Sequence, residues 1–301
     1  MLKVVLWEME QNTCVMFVFH HLLADGRAAL SLAKEFAEFY VHGREPKFVQ
    51  ENLISSVDDF PVDSKLNFIS RMLINKVNKD WNKEDHFVTY DEYHNFANEF
   101  LKNDHVLHYV KQYDFRKMEE IISKCKENQV SINDYFMAKM FIENDTNKII
   151  IASDLRKNLS CYNLGALGNY ATAFSVTIKK KSKDIWELAK ITHKFVQKSI
   201  QNNSILYTIL QCYASLNPGL IDSAAISTLG GFKSKAGKFV GNIFLGYSNP
   251  NGYSITNLGK IESDSISQAF FIPPASPAIK KTQGILTVNG NLIICTSERN
   301  M

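Results

Sequence analysis

The 301-residue chain has no CxxC pair, no long apolar run, no basic stripe and no internal repeat. Its five cysteines, Cys14, Cys125, Cys161, Cys212 and Cys295, are odd in number and far apart. Neither a disulfide framework nor a zinc site is therefore indicated, and a reducing, cytoplasmic setting fits best. No apolar stretch approaches the roughly 18 to 20 residues that span a bilayer, and no basic segment with a long apolar core marks a secretory leader. The formal net charge of +3 is spread along the sequence, which leaves no electrostatic footprint for nucleic acid. The histidines outside the motif described below (His42, His86, His94, His105, His108 and His193) lack metal-ligand spacing, so no metal is expected. Residues 230–237, with Lys233 and Lys235 and followed by Lys238, imitate a phosphate loop. Five residues instead of four separate Gly231 from Gly237, and Phe239 stands where a magnesium-binding hydroxyl belongs. A flexible basic loop is the expectation there, with contact to a CoA phosphate as the alternative.

What is present is an ordinary globular balance, 45% hydrophobic and 22% charged. At this length two lobes are the natural division, which we place at 1–103 and 104–301. Leu2 to Trp7 and Cys14 to Phe19 read as a hairpin of two largely buried strands. Leu30, Ala33, Phe36, Ala37 and Tyr40 then recur at helical spacing up to Gly43. Ser64 to Val77 predicts a second helix, and 78–103 a long connection between lobes. Further on, Val106 to Lys111 and Lys148 to Ser153 predict strands, and Phe115 to Cys125 and Tyr135 to Ile142 helices, the last behind a Ser131/Asp134 capping box. Helices are also expected over Asp184 to Ile200 and Ile205 to Leu216, the latter stopped by Asn217-Pro218-Gly219. Two hairpins are expected in the last third, one joining strands near 242–247 and 254–257, the other turning at Asn289-Gly290-Asn291. The class is mixed α/β.

The chemistry concentrates in Phe19-His20-His21-Leu22-Leu23-Ala24-Asp25-Gly26, at the end of an apolar strand and ahead of a helix. Neighbouring strand residues face opposite ways, so only one of His20 and His21 can point into a given cleft. A neutral imidazole with a pKa near ~6.5 suits the removal of a proton from a hydroxyl, amine or thiol. Asp25 needs a cationic partner to fix the turn, and Gly26 allows a tight bend before the helix. The blander reading makes the histidines strand-end residues and Asp25 a helix cap.

This string resembles the His-His-x-x-x-Asp-Gly signature of the condensation-domain and chloramphenicol acetyltransferase-like superfamily, which includes alcohol acetyltransferases and wax ester synthases. Asp154-Leu155-Arg156-Lys157 with Leu167-Gly168-Asn169-Tyr170, and Ser254 to Gly259, are similar in order and rough spacing to two later family segments. The resemblance implies an α/β fold of two lobes, each a mixed sheet flanked by helices, with a tunnel between them. It implies His21 as general base, with His20, Asp25 and Gly26 structural. Asn169 and Asn257 are then tunnel or oxyanion candidates. No bound cofactor is implied; acyl-CoA or a phosphopantetheine thioester is the co-substrate, a small-molecule hydroxyl or amine the acceptor, and a carrier protein a possible partner. In those families the signature lies deep in the first lobe, whereas here it begins at residue 20. The first lobe is therefore expected to be incomplete, completed by another chain or reduced to a non-catalytic binding module. Arg156, at a strand end in the other lobe, is the candidate to neutralise Asp25.

Overall fold

The computed structural model describes residues 2–21, 23–52, 54, 56–179 and 182–300. Strands β1 (Leu2–Met9) and β2 (Asn12–Phe19) pair antiparallel from Leu2↔Phe19 to Met9↔Asn12. Helix α1 (Gly26–His42) follows and ends at Gly43, whose φ of 67° lets its N–H reach the carbonyls of Glu38 and Phe39. Next come α2 (Phe68–Glu84), α3 (Tyr90–Asn103), β3 (His105–Tyr113), α4 (Phe115–Glu127), α5 (Ile132–Glu143), β4 (Lys148–Asp154) and β5 (Ala171–Thr177). Helices α6 (Ile185–Ile200), α7 (Asn203–Leu206), α8 (Thr208–Ser215), α9 (Pro218–Leu229) and α10 (Lys235–Ile243) precede strands β6 (Gly252–Ile261), β7 (Ile279–Val288) and β8 (Asn291–Asn300). The expected mixed α/β architecture is the one observed.

Six strands form one mixed sheet in the order β3-β8-β7-β6-β4-β5, parallel at β4/β6 and β6/β7 and antiparallel elsewhere. Alternation along each strand sends side chains to two layers. Ile149, Ile151, Ile255, Ile285 and Ile294 meet Met118, Phe136, Met140 and Leu188 from α4, α5 and α6. On the opposite face Leu258, Ile261, Leu286 and Val288 receive Leu30 of α1 and Phe271. A separate cluster joins Ile74, Val77 and Trp81 of α2 to Leu220 and Ala224 of α9 and Val240 of α10. Helix α2, from the first 103 residues, thus packs on helices from the later part of the chain.

Several expectations are corrected. The β1–β2 hairpin is not buried: Leu6 is 55%, Trp7 45% and Met9 60% exposed, because among the described residues no third strand pairs with it. The stretch 78–103 is not a long connection. It holds the end of α2 and all of α3, which opens with a Thr89/Glu92 capping box. The helix expected over 205–216 is split into α7 and α8 and ends before Asn217-Pro218-Gly219 as expected, but that tripeptide also starts α9: Asn217 Oδ1 accepts the Gly219 N–H and Pro218 takes the first turn. The basic loop runs into α10, capped by Ser234, and residues 242–247 form the end of that helix and a turn, not a strand. The turn at Asn289 and Gly290 is as expected, with φ values of 48° and 83°.

The glycines of α10 are packing residues. A Cβ on Gly241 would stand 2.7 Å from the Ala224 carbonyl oxygen and closer still to Thr228 Oγ1, so α9 and α10 must separate to admit it. Gly241→Ala gains roughly 1 kcal/mol of helix propensity against overpacking of about 1–3 kcal/mol. The expected net result is a lowered urea midpoint, whereas Gly231→Ala, with open space around it, leaves the midpoint within error.

All five cysteines are free thiols. Burial, with the charge of Asp134 adding to it, pushes Cys125 up to about 11 from an ordinary value of 9.0. Burial likewise raises Tyr247 to about 12. The unfolded chain releases these protons first, so their contribution is complete below pH 9 and disappears as pH rises through 11 to 12. For Cys125 alone the loss amounts to at most about 2–3 kcal/mol. Urea unfolding from neutral pH to pH 11 should show a plateau and then this fall. In the same range a thiol-reactive dye should label half-buried Cys14 well before Cys125.

Candidate active site around the histidine turn

Strand β2 hands the chain to His20 and His21, and the turn closes with the Leu23 N–H on the His20 carbonyl at 2.8 Å. Both histidines are exposed, whereas Ala24 and Asp25 are buried. Asp25, 3% exposed, is the hub. It caps α1, its Oδ1 accepting the Arg27 and Ala28 N–H groups at 2.9 Å each. Its Oδ2 accepts the Tyr170 N–H at 2.8 Å. Arg156 grips both oxygens, Nη1 to Oδ2 and Nη2 to Oδ1, each at 2.9 Å. Such forked, charge-assisted pairs are among the strongest polar contacts available.

The surrounding groups balance this pair. Arg156 Nη1 also reaches Asp154 Oδ1 at 3.0 Å, and Asp154 Oδ2 meets Arg27 Nη1 at 3.4 Å, giving two anions and two cations. The Arg156 guanidinium lies over Tyr170 and Tyr162, 5.2 and 5.6 Å from the ring centroids. Desolvation alone would lower its pKa, but hydrogen bonds and charge from Asp25 and Asp154 raise it above the ordinary value. The Gly168 carbonyl accepts the Asp25 N–H at 3.3 Å and Arg156 Nη2 at 3.4 Å. Residues 154–170 therefore grip the turn from the side of the large sheet.

Asn169 completes that grip, its Nδ2 donating to the His21 carbonyl at 2.9 Å and standing 3.5 Å from His21 Nδ1. Asn257 has another local task, its Oδ1 accepting the Gly259 N–H at 2.8 Å in a turn where Gly259 has a φ of 88°. Gly26 is not needed for a bend, since its φ is not positive. A Cβ there would stand 2.7 Å from Leu258 Cδ2, so glycine lets α1 approach β6. Two concave regions lie elsewhere, one lined by Asn144 to Asn147, Asn251 and Tyr253, the other by Leu32, Phe36, Phe39 and Pro46. The amino end of α10, beside the lysines of the basic segment, already holds a carboxylate, Glu84 Oε1, on the Ala236 N–H at 3.0 Å. Sequence reasoning did not anticipate the Tyr170 N–H or the Gly168 carbonyl, because backbone groups carry no residue signature.

No family model matches the chain, and no curated protein matches it by sequence. Solved structures do match it. The epimerization domain from the third module of tyrocidine synthetase B aligns over 99% of this chain and 66% of its own, at 15% identity and a TM-score of 0.52. The EpoB cyclization-docking bidomain from Sorangium cellulosum covers 99% of this chain and 58% of its own, at 12% identity and 0.53. For the condensation domain of the Monacolin K polyketide synthase MokA the figures are 99%, 67%, 10% and 0.52. The chain has the condensation-domain fold. It spans between 58% and 67% of the length of these three neighbours.

Proposed function

We propose that this chain carries the histidine half of an acyltransferase of the condensation-domain type, with His21 as general base. The acceptor is a small-molecule hydroxyl or amine, and the donor an acyl thioester of CoA or of a carrier-bound phosphopantetheine. His21 takes the acceptor proton as its heteroatom attacks the thioester carbonyl. The tetrahedral adduct then collapses, the C–S bond breaks, and the thiolate leaves with the proton from His21. In this reading Asn169 positions His21 and is a candidate oxyanion donor, with Asn257 a weaker candidate for that role. The carrying observation is the buried Asp25 hub, which fixes the turn while leaving the His21 ring open to solvent. Dispersed free thiols favour a cytoplasmic setting, and no helix among the described residues is long and apolar enough to cross a membrane.

The test is transfer from acyl-CoA and acyl-carrier thioesters to a panel of alcohols and amines. His21→Ala is expected to lower turnover by about 10²–10⁴-fold, and His20→Ala by far less. Equal rates for wild type and His21→Ala would end the catalytic proposal.

The exposed hairpin favours a second reading. Its outward face carries Val5, Trp7, Met9, Cys14, Met16 and Val18 beside only Lys3 and Asn12, a surface suited to being covered by another polypeptide. The chain would then be a non-catalytic binding module or would need a partner that completes the first lobe. Turnover by the 301-residue chain alone argues against this reading. Turnover that appears only with an added polypeptide supports the partner form.

A further inference from the structure

At the end of α1 remote from the histidine turn, three further side chains converge. Glu38 and His42 are four residues apart and project from successive turns of one helix face. Asp264, in the connection after β6, closes the triangle. One donor atom from each of the three lies within 4.8 Å of the others, and His42 Nε2 is 3.3 Å from Asp264 Oδ1. We propose that Glu38, His42 and Asp264 bind one divalent transition-metal ion of the Zn²⁺ type, clasping the end of α1 to the β6–β7 connection.

Two carboxylates and an imidazole form a ligand set that suits Zn²⁺ and leaves a fourth position for water. Donors at about 2.1 Å from a tetrahedral ion stand roughly 3.4 Å apart, so these side chains need to close by about 1 Å, within the rotamer freedom of surface groups. Ca²⁺, which takes about six to eight oxygens, is poorly served.

The ligand-bearing segments are fixed by other bonds. Ser265 Oγ donates to Glu38 Oε1 at 3.1 Å, and Arg44 Nη1 to Glu38 Oε2. Asn289 accepts the Ser263 N–H at 2.9 Å and donates to the carbonyls of Ser263 and Ile266 at 2.9 and 3.0 Å, holding the loop on both sides of Asp264. Outer bonds of this kind orient ligands and sharpen metal affinity. His42 also sits in the last turn of α1, where the backbone carbonyls favour a cation; Asp264 supplies a second carboxylate, while Glu38 shares its charge with Arg44.

The experiment titrates the 301-residue chain with Zn²⁺ by calorimetry and with Co²⁺ by visible absorption. One equivalent should bind with micromolar affinity, Co²⁺ should give a tetrahedral absorption band, and Tm should rise. His42→Ala and Asp264→Ala, with folding checked by circular dichroism, should each weaken binding at least tenfold, while His105→Ala leaves it unchanged. No binding at all, or affinity unaltered in His42→Ala, which would mean an adventitious ion on other histidines, overturns the proposal.

Discussion

Arg156→Ala is expected to destabilise the fold by about 3–5 kcal/mol, the cost of stranding a buried carboxylate by removing its partner. Asp25 keeps three N–H donors in that variant, which places the loss toward the lower end. The truncation also deletes the guanidinium from over Tyr170 and Tyr162. Arg156→Lys should fall between, because an ammonium keeps the charge but cannot grip two oxygens in one plane. Asp25→Ala removes the cap of α1, worth about 1 kcal/mol, and leaves Arg156 with Asp154 as its remaining carboxylate partner. The double variant should cost less than the sum of the singles. Arg27→Ala, whose side chain is half exposed, should change stability by less than about 1 kcal/mol. Urea unfolding measures the whole series, and an Arg156→Ala midpoint equal to that of wild type would refute the account.

Phe136→Ala should cost a similar amount, about 3–5 kcal/mol. Its ring is 1% exposed and stands edge-on to Tyr113 and Tyr135, with centroids at 5.6 and 5.2 Å. Both ring pairs add to the area term, roughly 0.5–1.5 kcal/mol each. Helix α5 is apolar over most of its circumference, with Phe136, Met137, Ala138, Met140 and Phe141 all buried, so little can collapse into the vacated space. Phe115→Ala is the contrast, since that ring is 57% exposed and its removal leaves no comparable cavity. Equal unfolding midpoints for the two variants would show that the α5 layer is looser than its contacts indicate.

Legibility from sequence followed the range of the signal. The first hairpin, the start and stop of α1 and the Asn289-Gly290 turn rest on neighbouring residues and are readable. Helix α3 escaped although Tyr93, Phe96, Ala97, Phe100 and Leu101 recur at helical spacing and Thr89 and Glu92 mark its start, because the interleaved charge and Asn masked that period. Helix α10 was obscured by Gly237 and Gly241, which weaken helix propensity for the sake of contact with α9. Within the site, the spacing of His21 and Asp25 is visible, and Arg156 could be nominated from its strand end. The Tyr170 N–H, the Gly168 carbonyl and the true task of Gly26 depend on tertiary approach, for which one-dimensional spacing has no mark.

The grip of Arg156 on Asp25 joins positions 131 residues apart. During synthesis from the amino end, the histidine turn is made first and waits while more than a hundred further residues are added before its anchor exists. Local bonds to Arg27 and Ala28 are available early, but the clamp from the large sheet arrives only when that sheet has its β4 end in place. A nascent chain therefore carries the histidine turn before the anchor that fixes its geometry, and the turn reaches its final form only when the second half of the molecule has folded.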